Sequence, residues 1–153
     1  MTRIGLLVAV ALMFAAPVSR AADPADGVYT PAQAQQGRAL YGANCAACHG
    51  AALQGGAGPA LAGDHFRATW GTRTLASLVA FEHSQMPPGK PGSVPEPDDL
   101  AITAFILQMN DAPAGTRALA AGSPLLGRRV TDALGEQASA PTAAATPAPR
   151  NRS

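Results

Sequence analysis

The chain has two cysteines, three residues apart, and a histidine directly follows the second: Cys45-Ala46-Ala47-Cys48-His49. Three chemistries use such an arrangement: a redox disulfide, a metal site, and covalent attachment of haem. A thioredoxin-like disulfide belongs beside a βαβ pattern, and no alternating strand pattern runs through this sequence. Structural zinc takes four ligands, whereas the chain offers two cysteines and three histidines without finger spacing. Haem attachment fits mechanically. Residues three apart in a helical turn lie on one side, so both thiols can reach the vinyl groups of one porphyrin and form thioethers. His49 is then carried under the ring to coordinate iron, and the small Ala46 and Ala47 keep the turn clear. The spacing therefore predicts one covalently attached haem c.

A low-spin electron-transfer haem needs a second axial ligand. Met109 lies inside an apolar helical stretch and reads as packing. Met86, His65 and His83 are the other candidates. Met86 opens the run Met86-Pro87-Pro88-Gly89-Lys90-Pro91-Gly92, in which prolines stiffen the backbone and a glycine permits a turn. Such a loop holds a thioether over iron with little entropy loss, so Met86 is taken as the sixth ligand. His65 and His83 read more simply as surface or hydrogen-bonding residues. A His/Met pair implies a higher potential than two histidines would give, and the other ring nitrogen of His49 needs a partner to fix its orientation.

The elements that must position these groups are helices. Thr30-Pro31-Ala32-Gln33 reads as a helix start, with threonine as cap, proline at the first position and Gln33 closing a capping box. Ala34, Gly37 and Tyr41 follow on one face. A glycine there costs about 1 kcal/mol against alanine and is explained if another helix crosses closely. Thr74 to His83 predicts a second helix with Leu75, Leu78 and Val79 as its stripe. A third follows Pro97, with Asp98 as candidate cap and a nearly all-apolar run from Leu100 to Met109 that should be buried between neighbours. Glycine- and proline-rich loops, 54–63 and 87–97, join them. A domain this small, with 5% aromatic residues and no further cysteine, needs something buried at its centre to complete its core.

Residues 1–21 carry Arg3, an uncharged apolar run and small residues before a cut after Ala21, which predicts a cleaved secretory signal and a periplasmic mature chain. The apolar run is shorter than the ~20 residues that span a bilayer, and no later stretch predicts a membrane helix. Residues 28–112 are read as the folded domain and 113–153 as a low-complexity, disordered tail, with at most a weak turn or two near Ser123 to Gln137. Between Ala22 and Ala112 four basic residues face eight acids, a net of −4, so there is no basic stripe to bind nucleic acid.

The sequence resembles the class I c-type cytochromes over about residues 28–116. "GRALYGANCAACHG" is similar to the family's first helix and attachment motif, "GPALAG" to the loop that follows, "MPPGKPGS" to the sixth-ligand loop and "AITAFILQMN" to the closing helix. Together with Phe66 and Trp70 in "F-x-x-x-W", the wording is especially like cytochromes that accompany quinoprotein dehydrogenases. The resemblance implies a small all-α fold of three to four helices around one haem, with Gly37, Tyr41 and Phe105 at the crossing of first and last helices. It implies that the Pro59 carbonyl accepts the His49 proton. Trp70 and Arg73 are candidates to bond the haem propionates, with Trp70 equally readable as a packed ring, and Leu61, Leu75 and Leu78 are candidates to line the ring, with core packing as their default role. The resemblance also implies an electron carrier without catalysis of its own, fed by a quinoprotein dehydrogenase and drained by another cytochrome or an oxidase. Two other readings remain: a dedicated haem subunit of a dehydrogenase complex, and a sensor or enzyme with an open iron site.

Overall fold

The computed structural model describes residues 27–135. The expected signal, 1–21, and the end of the expected tail, 136–153, lie outside the described residues. Helix α1 spans Pro31–Asn44, α2 is the single turn Ala46–His49, α3 spans Gly63–Trp70, α4 Leu75–Gln85 and α5 Glu96–Met109. A 3₁₀ turn, Pro124–Gly127, and the short α6, Val130–Ala133, complete the order. The described residues form an all-α structure without strands; one isolated bridge joins Thr74 and Arg129.

Helix α5 is the centre of the packing. Every residue from Leu100 to Leu107 is buried, because α1 crosses one side and α4 lies on another. At the α1 crossing Gly37 has no side chain to spare: a Cβ there would collide with the backbone carbonyl of Ala101. Tyr41 and Phe105 meet one turn further on, ring centroids 5.3 Å apart and tilted by 57°, a geometry that suits the quadrupoles of both rings.

Two helix starts differ from the sequence reading. Thr30 caps α1 by accepting the Gln33 N–H at 3.2 Å, but Gln33 does not close a capping box. Its Nε2 donates to the Leu119 carbonyl at 2.7 Å and its Oε1 accepts the Leu119 N–H at 2.8 Å. Helix α5 is capped by Pro95, not by Asp98. Pro97 fits inside the first turn, where its missing N–H costs nothing, so the helix begins earlier and Glu96, Asp98 and Asp99 all sit at its positive end. Helix α3, absent from the periodicity reading, buries Phe66 and Trp70 four residues apart.

The folded part also runs past the boundary expected at residue 112. Tyr29 donates to the Ala112 carbonyl at 2.6 Å, and the Gly115 N–H reaches the Tyr29 carbonyl at 2.7 Å. The chain then passes Gln33 at Leu119 and returns to the junction of α3 and α4. There the Leu75 N–H donates to Arg128, the Val130 N–H to Arg73 and the Thr131 N–H to Gly71, all at 2.9 to 3.1 Å. Leu119, Val130, Ala133 and Leu134 are buried by this return. Composition concealed it, because backbone hydrogen bonds hold much of the segment.

Candidate functional site

Helix α1 stops at Cys45, whose backbone leaves the helical region at φ −122°. The next turn, α2, restarts from the Cys45 carbonyl, which accepts from Cys48 at 3.1 Å and His49 at 3.0 Å. This break sets both sulfurs and the imidazole along one wall of a cavity, with Cys45 half-buried, Cys48 exposed and His49 buried. The following loop is laced to the turn. Gly55 N–H donates to the His49 carbonyl at 2.8 Å and Gly58 N–H to the Cys48 carbonyl at 2.9 Å, while the Tyr41 hydroxyl holds the Gly50 carbonyl at 2.7 Å.

The lacing orients His49. Its Nδ1 lies 2.8 Å from the Pro59 carbonyl oxygen. A carbonyl only accepts, so Nδ1 carries the proton and Nε2 keeps its lone pair. Gly58 presses against the ring: a Cβ at that position would lie 2.8 Å from His49 Cε1 and 2.9 Å from Nδ1. A residue with any side chain would push the imidazole aside.

Further lining comes from α4, α5 and the loop after α4. Met86 is the C-cap of α4 in extended backbone, its N–H bonded to the Glu82 carbonyl at 3.0 Å. Pro87 and Pro88 continue the lining, and the Lys90 N–H closes the loop on the Pro87 carbonyl at 2.8 Å. Leu61, Leu78, Val94, Ile102 and Ile106 give the interior its apolar character. Leu75 is buried in the core but is not among the lining residues.

Trp70 lines the cavity and meets Phe81 edge-on at 5.2 Å. Arg73 does not line it; its guanidinium lies over the Trp70 ring, 4.9 Å from the centroid, on the exposed side. His65 sits exposed on α3, away from the cavity. His83 is turned toward Asp99, with Nδ1 2.8 Å from Oδ2. Met109 packs against the core.

Three lining or neighbouring groups escaped the sequence reading. Asp99 is buried at the cavity wall, and burial raises its carboxyl above the ordinary range. Glu82 also lines the cavity; its Oε2 accepts from the Thr103 hydroxyl at 2.7 Å, while its Oε1 is sealed from water with no partner. Burial pushes the Glu82 carboxyl up to about 8. A signal existed: Glu82 stands seven residues after Leu75, on the stripe with Leu78 and Val79. Asn110, just past α5, satisfies its whole amide by donating to Leu61 and Ile106 and accepting from Gly63, which pins the loop to the helix end.

The donor set suits a haem. One apolar cavity is lined by an oriented imidazole, a thioether and two cysteine side chains. Burial and then the charges of Glu82 and Asp99 push the Cys45 thiol up to about 12, which makes it a poor thiolate ligand. Among the described residues no three His, Cys, Asp or Glu side chains converge as a separate metal site.

Residues 32–106 match a family model described as cytochrome c oxidase, cbb3-type, subunit III. Neither the curated proteins nor the solved structures gave a match. The matched residues take in the attachment turn, the cavity wall from Met86 to Ile106 and the crossing of α1 with α5. Residues 32–106 thus form a class I-like c-type cytochrome domain, which supports reading the chain as a haem c electron-transfer protein.

Proposed function

We propose that this protein is a mono-haem electron carrier of the periplasm. Cys45 and Cys48 would hold a haem through two thioethers, and His49 Nε2 and Met86 Sδ would be the ligands to its iron. Haem so held supplies one-electron transfer between ferric and ferrous iron. The polypeptide excludes exogenous ligands, sets the potential and presents a rim for docking. The observation that carries this reading is the convergence of Cys45, Cys48, His49 and Met86 on one apolar cavity. Trp70 lines the cavity and the Arg73 guanidinium lies over its ring, which supports the reading of these two side chains as propionate partners.

Partners would meet the rim formed by exposed Cys48 and Phe81 through a small, transient interface. The donor proposed is a quinoprotein-type dehydrogenase and the acceptor a downstream cytochrome or an oxidase. The oxidase in the matched family's description agrees with such an acceptor but belongs to that family. Among the described residues no helix is long and apolar enough to cross a membrane.

The test is spectroscopic. Full-length protein matured in an export-competent host should give the pyridine haemochrome of haem attached through two thioethers. The oxidised form should show the weak near-infrared band of thioether-to-iron charge transfer. A colourless product would remove the reading altogether. High-spin spectra with ready carbon monoxide binding by the reduced protein would replace the carrier by an open-iron sensor or enzyme.

A further inference from the structure

A buried carboxylate in a haem wall needs an explanation, because an unpaired charge there is costly. Asp99 is only 3% exposed, and its Oδ2 lies 2.8 Å from His83 Nδ1. The two partners differ in access: the His83 side chain is 46% exposed and that of Asp99 is 4% exposed. One end of the pair therefore reaches solvent and the other forms part of the cavity lining. We infer that His83 and Asp99 form a proton-carrying pair whose charge follows the oxidation state of the haem.

The step balances simply. When one electron arrives from a redox partner, the pair takes up one proton from solvent through His83. When the electron leaves, the proton returns to solvent. Ferric iron bears one more positive charge than ferrous iron, and in a low-dielectric cavity that charge disfavours a proton on the wall. The proton belongs to the coupled pair, not to either residue alone.

The groups around the pair allow this. Glu82 on α4 and Asp98 and Glu96 on α5 each act on Asp99 or are acted on by it as like charges. Cys45 across the cavity also feels Asp99, but a thioether there has no proton to exchange. The loop after α4 brings Lys90, which is exposed. Acids thus predominate around the pair, and a proton on it relieves their mutual repulsion. His83 is the only histidine hydrogen-bonded to a carboxylate among the described residues.

This inference rests on the haem reading above and adds a proton to it. The experiment uses haem-loaded full-length protein, with midpoint potential followed from pH 5 to 9 and the His83 ring titration followed by NMR in both oxidation states. The expected wild-type result is an apparent reduction constant that falls by up to tenfold per pH unit within the window where histidine changes charge. His83 should titrate at higher pH in the reduced protein. His83→Gln should flatten the dependence, and its exposed position keeps the fold intact. Glu82→Gln should leave a dependence in place. The inference is overturned if His83→Gln retains the wild-type profile, if only Glu82→Gln abolishes it, or if His83 titrates identically in both states. A protein that takes up no haem fails the earlier reading instead, and the two failures are distinguishable.

Discussion

Gly37 and Ala101 meet backbone to backbone where α1 crosses α5, with no room for a Cβ between them. On an exposed helix, glycine to alanine would stabilise by about 1 kcal/mol. Here Gly37→Ala is expected to destabilise instead, by about 1 to 3 kcal/mol as overpacking does, and Gly37→Leu by more. Thermal unfolding of the haem-loaded protein measures this. A raised midpoint for Gly37→Ala would show that the helices can part without cost.

Replacement of both attachment cysteines tests whether the cofactor completes the core. Cys45→Ala with Cys48→Ala should abolish covalent haem capture. Without the tethered ring, the slot bounded by Leu61, Leu78, Ile102 and Ile106 has no filling. A small domain has little surplus stability to absorb such a loss. Far-ultraviolet circular dichroism should then show a largely unfolded chain, and a native-like spectrum would mean that the helices stand without the haem.

The segment after residue 112 should prove structural. Its Leu119, Val130 and Leu134 are buried, and fully burying an apolar side chain of this size contributes about 1.5 to 3 kcal/mol. Truncation after Ala112 removes all three, together with both hydrogen bonds of Gln33 to Leu119. The expected loss exceeds about 3 kcal/mol, read as a denaturant midpoint lower than that of the full-length protein. A midpoint equal to that of the full-length protein would show the return segment to be dispensable.

What could be read in the sequence was whatever rested on local spacing. Cys45, Cys48 and His49 announce themselves because one helical turn decides their geometry. Gly37 was legible as a crossing point because a glycine inside a helix needs a neighbour to excuse it. The apolar run of α5 was legible as buried, since nothing on most of its surface tolerates water. Long-range hydrogen bonds left no such mark. Gln33 looked like half of a capping box until Leu119, 86 residues away, took its side chain. Residues 113–135 looked disordered by composition, yet their bonds run from backbone to backbone. Glu82 and Asp99 were overlooked for a different reason: an acid on an apolar stripe is usually assumed to turn outward, and only packing shows that these line the cavity.

Stability should fall as pH rises. The Glu82 carboxyl is pushed up to about 8 by burial, with the Thr103 hydroxyl opposing and the Asp99 charge adding. Asp99 is raised as well, chiefly by burial. A carboxyl with a raised folded-state value binds its proton more tightly in the folded chain than in the unfolded one. The contribution is complete below about pH 4, the ordinary glutamate range, and is lost as pH climbs through about 8. Melting temperatures of the haem-loaded protein should therefore decline between pH 5 and pH 9. Glu82→Gln keeps the hydrogen bond to Thr103 available without a charge and should flatten that decline. A wild-type profile that is level or rises would show that the Glu82 carboxyl is not sealed from water.

Met86 carries the sharpest consequence for function. It leaves α4 in extended backbone, between a helix that ends at Gln85 and a proline-stiffened loop. Substitution should thus remove the thioether with little disturbance to the helices. Met86→Ala is expected to open one face of the iron: the near-infrared band disappears, the reduced protein binds carbon monoxide, and the potential falls. Met86→His should restore a low-spin spectrum at a lower potential than wild type, because an imidazole pair favours ferric iron more than a His/Met pair does. His83, three residues away, is engaged with Asp99 and is not positioned to take over. If Met86→Ala stays low-spin and excludes carbon monoxide, another side chain holds the sixth position, and His83→Gln in that background would show whether it is His83.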